Sequence, residues 1–271
     1  MDAKDNIIQA NNLCCNYSVD EAEIKGILVD KLLIPRVGIT SIIGVSGSGK
    51  STLLSLLSGA RRPTQLQKNS RLEFIEETDG ATLDLLRDNF LARGRIGFVF
   101  QEPHLIKRIS ARSNAETAGR FLGGANYNEN INKLSSEFLL EEVIDQRADT
   151  LSGGQAQRVA VIRALSINPD VLVCDEPTSS LDEKMGLDLM SHIYKWAHEN
   201  QKCVLLVTHN MAHAAEFSDY LIRTENGKLI IGEDGHPIDL RGQTPEDKLK
   251  FIKTTFYPMI TTVHRKVQQA A

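Results

Sequence analysis

Gly44-Val45-Ser46-Gly47-Ser48-Gly49-Lys50-Ser51-Thr52 fits the spacing G-x-x-x-x-G-K-[ST], a pattern whose chemistry is phosphate binding. Gly44, Gly47 and Gly49 let the backbone turn tightly, so that the N–H groups of the loop, those of Ser46 and Ser48 included, converge on phosphate oxygens. A helix starting at Lys50 adds roughly half a positive charge beneath them. Lys50 is placed to reach the β- and γ-phosphates, Ser51 to ligate Mg²⁺, and Thr52 to complete the cradle. A second cluster, Val171-Leu172-Val173-Cys174-Asp175-Glu176, ends an apolar run in two carboxylates. Asp175 is suited to hold Mg²⁺ through water, and Glu176 to orient and deprotonate an attacking water. The ligands these residues point to are a nucleoside triphosphate and Mg²⁺.

The elements that must position these groups are legible as well. Ile39–Val45 is a short β-branched run, as a buried strand requires, and Leu53, Leu54, Leu56 and Leu57 give the following helix a broad apolar face. Arg95–Phe100, Val171–Asp175 and Val204–Val207 are further strand-like runs. Continuous apolar strands alternating with helices predict a mostly parallel sheet that delivers side chains to the crevice at its carboxyl edge. A lone glutamine after such a strand, Gln101, carries no message by itself. A lone histidine at a strand end, His209, is more often structural than catalytic.

Leu151-Ser152-Gly153-Gly154-Gln155 changes that reading. Ser152 suits an N-cap, and the two glycines allow close approach of backbone to an anion at the head of the helix that follows. Together with the phosphate loop, this run resembles the signature of the ATP-binding cassette (ABC) family, over roughly residues 7–232. The resemblance implies an α/β fold: a P-loop NTPase core with a mostly parallel sheet, an antiparallel β subdomain and a helical signature subdomain. It implies that the nucleotide is ATP, that His209 contacts the γ-phosphate and that Gln101 touches Mg²⁺ and senses partner contacts. Tyr17 would stack on adenine, its alternative being a strand aromatic. It further implies that Ser152, Gly153, Gly154, Gln155 and Asp182 act in trans, covering ATP held by an opposite subunit. One set of motifs then requires a second ATPase subunit, most simply a homodimer, with integral membrane transporter subunits as further partners.

Within that family, Arg95-Ile96-Gly97-Phe98-Val99-Phe100-Gln101 resembles the group serving lipoprotein release, macrolide efflux and cell division. His104–Ile109 and Thr178-Ser179-Ser180 depart from that group, and the latter is closer to importers. Export or mechanotransmission and solute import therefore both stand. Non-transport cassettes of DNA repair and chromosome organisation carry long coiled coils between these motifs, and those of translation usually carry two cassettes; neither feature is present here.

A chain of 271 residues is long enough for one subdivided domain. We expect an ATPase domain over 1–235, with its helical subdomain at about 104–150, and a helical C-terminal extension over 236–271. Phe138, Leu139, Leu140, Val143 and Ile144 cluster as part of the helical pattern, and Asp79-Gly80 and Asn226-Gly227 mark hairpins. Thr244-Pro245 marks a helix start, with Leu249, Ile252 and Phe256 on one face and Pro258 ending it. That helix either packs on its own domain or serves as a dimerisation or regulatory arm. A formal charge of −4 argues against nonspecific nucleic-acid binding, so no nucleic-acid partner is expected. No apolar run reaches the roughly 18 residues of a membrane span, and the polar N-terminus lacks a signal peptide's core. The expected location is cytoplasmic, peripheral on the membrane through partner subunits. Cys14, Cys15, Cys174 and Cys203 fit no metal spacing and are expected as reduced thiols.

Overall fold

The computed structural model describes residues 5–19, 22–76, 81–87, 94–122 and 126–255. Its centre is a set of parallel strands: β3 (Gly38–Gly44), β6 (Ile96–Val99), β7 (Val171–Asp175), β8 (Cys203–Val207) and β9 (Tyr220–Glu225), ordered β9-β3-β8-β7-β6. Strict alternation explains why these strands read as continuous apolar runs. Ile42, Val171, Val173, Leu205 and Val207 enter the core on one face, packed with Leu53, Leu54, Leu56 and Leu57 of α1 (Lys50–Leu57). Ile39, Leu172, Cys174, Val204 and Leu206 enter the core on the other face. There they meet Val159, Val161, Ile162 and Leu165 of α4 (Gly153–Leu165) and Leu189, Ile193 and Trp196 of α5 (Glu183–Glu199). Both faces are covered, as parallel sheets require.

An antiparallel part extends the sheet. The long strands β1 (Asn6–Val19) and β2 (Ala22–Pro35) pair with each other, β4 (Gln65–Ile75) pairs with β1, and β5 (Thr82–Asp84) with β4. Asn12, at φ 49°, marks the register break where β1 passes β4. The Asp79-Gly80 hairpin lies outside the described residues. At the other expected hairpin, Asn226 (φ 49°) and Gly227 (φ 73°) turn β9 into β10 (Lys228–Ile230), the two positive-φ positions of a type I′ turn.

The helical region comprises α2 (Ala111–Leu122), α3 (Tyr127–Glu137) and a short 3₁₀ turn at Ala148–Thr150 before α4. The apolar cluster at Phe138–Ile144 is not helical. α3 stops at Glu137, and Leu139 takes φ 54° while Leu140 N–H donates to Ser135 O (2.8 Å) and Leu139 N–H to Ser136 O (3.1 Å). This is a Schellman cap with leucine where glycine is usual. Phe138 and Leu140 are buried and Leu139 is exposed, so the hydrophobic run serves core packing around a chain reversal.

After residue 236 the chain first adds β11 (Ile238–Asp239) antiparallel to β9. A helix over 245–255 follows, which we denote α7. Thr244 Oγ1 accepts from Asp247 N–H (3.2 Å), the N-cap expected there. Ile252 is fully buried, and with Leu249 it packs on Ala214 and Ala215 of α6 (Met211–Phe217). Phe256 and Pro258 lie outside the described residues. No helix among the described residues is long and apolar enough to cross a membrane.

Candidate functional site

Because β3, β6, β7 and β8 are parallel, their carboxyl ends fall on one edge, and each delivers an expected residue there. β3 runs into the phosphate loop at Gly44, β7 ends at Asp175 with Glu176 following, β8 leads through Thr208 to His209, and β6 leads through Phe100 to Gln101. The glycines are demanded by geometry. Gly49 stands at φ 102° as the residue before α1, and a Cβ on it would press into the carbonyl oxygen of Gly26 on β2. A Cβ on Gly44 would meet Ser48 Oγ and Thr224 Oγ1. Those two hydroxyls lie 2.7 Å apart, and Thr224 donates on to Ile43 O (3.3 Å), so β9 fixes the loop from behind.

Lys50 Nζ folds back over the loop and donates to Gly44 O and Val45 O, each at 3.0 Å. Burial holds its ammonium below the usual lysine range, opposed by the charges of Glu176 and Asp175. Ser51 Oγ lies 3.4 Å from Asp175 Oδ1. Burial pushes the Asp175 carboxyl up; the Ser51 hydrogen bond pulls it down, Glu176 pushes it up further, and Lys50 and His209 pull down. A hydroxyl and a carboxylate oxygen side by side are the hard oxygen donors that Mg²⁺ prefers, so these residues fit that ion.

Glu176 sits at φ 50°, a left-handed conformation costly for any residue but glycine. Its N–H donates to Val207 O (2.9 Å), and its Oε1 lies 2.6 Å from His209 Nε2. A cleft of about 330 Å³ beside this pair is also lined by Thr178, Asp182 and His213. Gln101 is exposed. Tyr17 lies on β1, and its side chain falls outside the described residues.

The signature residues are held elsewhere. Ser152 caps α4 in a full capping box: Gln155 N–H donates to Ser152 Oγ (3.3 Å) and Ser152 N–H to Gln155 Oε1 (2.9 Å). Gly153 faces open space, and Gly154 packs against Met185 Sδ. α4 lies on the sheet face opposite to α1. The phosphate loop and the signature thus start helices on opposite faces of the sheet. Asp182 caps α5, accepting from Met185 N–H (2.9 Å).

Sequence reasoning missed the braces. Gln157 Nε2 donates to Phe100 O (2.9 Å), and Arg163 donates to Pro103 O (2.8 Å) and His104 O (2.9 Å). They tie α4 to the stretch around Gln101. The one available signal was polar residues inside an apolar helix, and Gln157 is fully buried. Beyond that stretch, an apolar groove of about 700 Å³ opens between α2 and the sheet, lined by Phe98, Phe100, His104, Phe121, Leu122 and Ile167. It includes no residue of the phosphate loop. Phe121 at its rim is 88% exposed.

Residues 30–179 match the family model described as ABC transporter. The chain belongs to the ABC transporter family. It is 34% identical over 251 residues to the phosphonates import ATP-binding protein PhnC of Bordetella parapertussis, covering 86% of this chain and 93% of that one. It is 32% identical over 241 residues to the macrolide export ATP-binding/permease protein MacB of Shewanella sp., covering 88% of this chain and 36% of that one. The chain thus spans about a third of the length of the macrolide exporters it matches. Among solved structures it is similar to the dimeric, post-hydrolysis ATP-binding cassette MJ0796 bound to ADP and Pi, with a TM-score of 0.72 and 31% identity, covering 87% of this chain and all of that one. MJ0796 comes from Methanocaldococcus jannaschii. The chain is an ABC ATPase with the P-loop α/β fold, and its relatives include exporters and importers alike.

Proposed function

We propose that the chain is the ATP-hydrolysing subunit of an ABC transporter, closing as a dimer around two ATP molecules to drive separate membrane subunits. Lys50 and the N–H groups of Gly44–Thr52 bind the phosphates. Ser51, Asp175 and Gln101 would hold Mg²⁺, which would supply positive charge to offset that of the phosphates. Glu176 takes the proton of the attacking water, and His209, 2.6 Å from it, orients that carboxylate and contacts the γ-phosphate. Tyr17 stacks on adenine.

The dimer is supported by the presence in one chain of two anion-binding helix N-termini, at Lys50 and Gly153, and by the dimeric form of the MJ0796 cassette. One chain thus carries two such helix heads but a single G-x-x-x-x-G-K-[ST] loop, which leaves Ser152, Gly153, Gly154 and Gln155 free to serve a partner's nucleotide. A second copy, related head to tail, would bring them to ATP held by its partner, with Asp182 crossing the same interface. The partner completes the site as an arginine finger does, here with a hydroxyl, backbone N–H groups and a helix dipole.

The membrane partner finds support in the apolar groove, since contiguous exposed apolar surface beside a polar rim marks an interaction site. Gln157 and Arg163 connect its walls to the Gln101 stretch, so a partner seated there would sense the nucleotide state. We place the ATPase domain at 1–235 with the docking subdomain at 104–150, and the chain at the cytoplasmic face of a membrane without nucleic acid. Export or mechanotransmission is supported by the Arg95–Gln101 run and the macrolide exporters. Import has its own observation in the phosphonate relative, similar over 93% of its length.

The test is a pulldown from detergent-solubilised native membranes with tagged Glu176→Gln protein and ATP, repeated with Phe121→Asp added. A stoichiometric integral-membrane protein that is lost on Phe121→Asp is expected. A partner with few helices and a large extracytoplasmic domain would favour mechanotransmission, and a many-helix permease import. Soluble or nucleic-acid partners alone would overturn the transporter reading.

A further inference from the structure

A second histidine faces the segment that carries Glu176. His213 lies on α6, four residues beyond His209, and is 3% exposed. Its Nδ1 is 3.3 Å from Thr178 Oγ1. Its Nε2 is buried with no hydrogen-bond partner among the described residues. Asn210 Oδ1 caps α6, accepting from Ala212 N–H (3.0 Å) and His213 N–H (3.1 Å). On α5, Gly186 makes room for the ring, since a Cβ there would come within 3.1 Å of His213 Cε1.

The two histidines therefore hold the loop after β7 at two points. His209 contacts Glu176 at 2.6 Å, and His213 contacts Thr178 at 3.3 Å. From those points onward the loop is closed on itself: Ser179 N–H (3.2 Å) and Oγ (3.0 Å) both donate to Glu176 O, and Leu181 N–H donates to Thr178 O (3.1 Å). The loop ends at Asp182, the cap of α5. Glu176 is kept at φ 50°, and a non-glycine residue stays in that region only where its surroundings over-determine it.

We infer that His213 is a positioning residue: through Thr178 it fixes the Glu176–Asp182 loop and so aims Glu176 at water. Burial pulls the ring below the usual histidine range, against an opposing pull from Glu183, and so favours its neutral form. Donation from Nδ1–H to Thr178 then leaves a lone pair, not an N–H, buried at Nε2, and orphaned buried donors are the rarer arrangement in proteins. The role is indirect, because His213 acts on the base and not on ATP. It also joins the loop carrying the base to the helix after His209, so the two sides of the γ-phosphate pocket move as one body.

The inference rests on Glu176 being the base, so Glu176→Gln is the reference. kcat and KM for MgATP are measured on the purified chain for His213→Leu, Thr178→Val, the double variant and His213→Asn, with ATP affinity and melting temperature as folding controls. Each of the first two should lower kcat about tenfold, as a loosened catalytic group does, with KM within about twofold. The double variant should be no slower than the slower single, since both remove one contact. His213→Asn, whose amide nitrogen can take the place of Nδ1, should recover most of kcat. Wild-type kcat in His213→Leu or Thr178→Val, or fully additive losses, would overturn the inference. Thr178→Val carries the test alone if His213→Leu does not fold. An inactive Glu176→Gln beside an active His213→Leu sinks only the positioning role; an active Glu176→Gln removes the assignment beneath it.

Discussion

Two glycines of one motif are expected to respond very differently to the same added methyl group. Gly49 stands at φ 102°, ψ 10° at the head of α1, where a Cβ meets the backbone carbonyl of Gly26 and lies 3.0 Å from Ile27 Cδ1. Gly47 stands at φ 75°, and nothing lies within 4 Å of its would-be Cβ. Gly47→Ala therefore meets only left-handed strain, about 1–2 kcal/mol. Gly49→Ala meets that strain and a clash with backbone on β2, which cannot step aside like a flexible side chain; together these cost about 3–4 kcal/mol. The loop relieves such strain by leaving the phosphate-binding conformation, so the cost is read in ATP affinity. At about 1.4 kcal/mol per decade, Kd for ATP should rise roughly 5- to 30-fold in Gly47→Ala and more than 100-fold in Gly49→Ala. Calorimetric titration with MgATP gives both numbers, and circular dichroism checks that the fold persists. Equal losses in the two variants, or wild-type affinity in Gly49→Ala, would refute the reasoning.

Other consequences are simpler to read. Burial pushes the Cys203 thiol up to about 12 and the Cys174 thiol higher still, so neither forms thiolate near neutrality. An alkylating reagent followed by mass spectrometry should label partly exposed Cys14 in the native chain and Cys15, Cys174 and Cys203 only on unfolding; native labelling of Cys174 would count against its buried placement. Leu139→Gly should raise stability by about 0.5–1 kcal/mol, since glycine adopts the φ 54° of the Schellman cap freely. Denaturant unfolding reads that gain, and a loss would mean the exposed leucine contributes packing. Ile252→Ala should release α7 first, costing about 2–4 kcal/mol locally, and limited proteolysis should then cut after residue 244 sooner than in the wild type.

The residues of the candidate site were more legible than the architecture around them. Lys50, Ser51, Asp175 and Glu176 are local features of strand ends, and a parallel sheet brings strand ends together without further instruction. Ser152 was readable as a cap because a capping box lies within four residues of chain. The end of α3 was not readable: an apolar run from Phe138 to Ile144 looks helical, and only tertiary packing forces Leu139 into a left-handed turn. β11 is two residues long, too short for a periodic signal, and exists because β9 offers an edge. Thr178–His213 and Gln157–Phe100 span 35 and 57 residues of sequence, and no local pattern announces such pairs. In this chain the candidate site residues are encoded locally, and the long-range contacts around them are encoded by the fold.

The most direct test is the rate of phosphate release by Glu176→Gln at saturating MgATP, set against the wild type. Removing a general base costs roughly 10²- to 10⁴-fold, about 3–5 kcal/mol of barrier. Loss of turnover on that scale is expected, together with ATP-dependent dimers that survive gel filtration. Turnover at the wild-type rate would contradict the assignment of Glu176, and with it the site assembled at the carboxyl edge of the sheet.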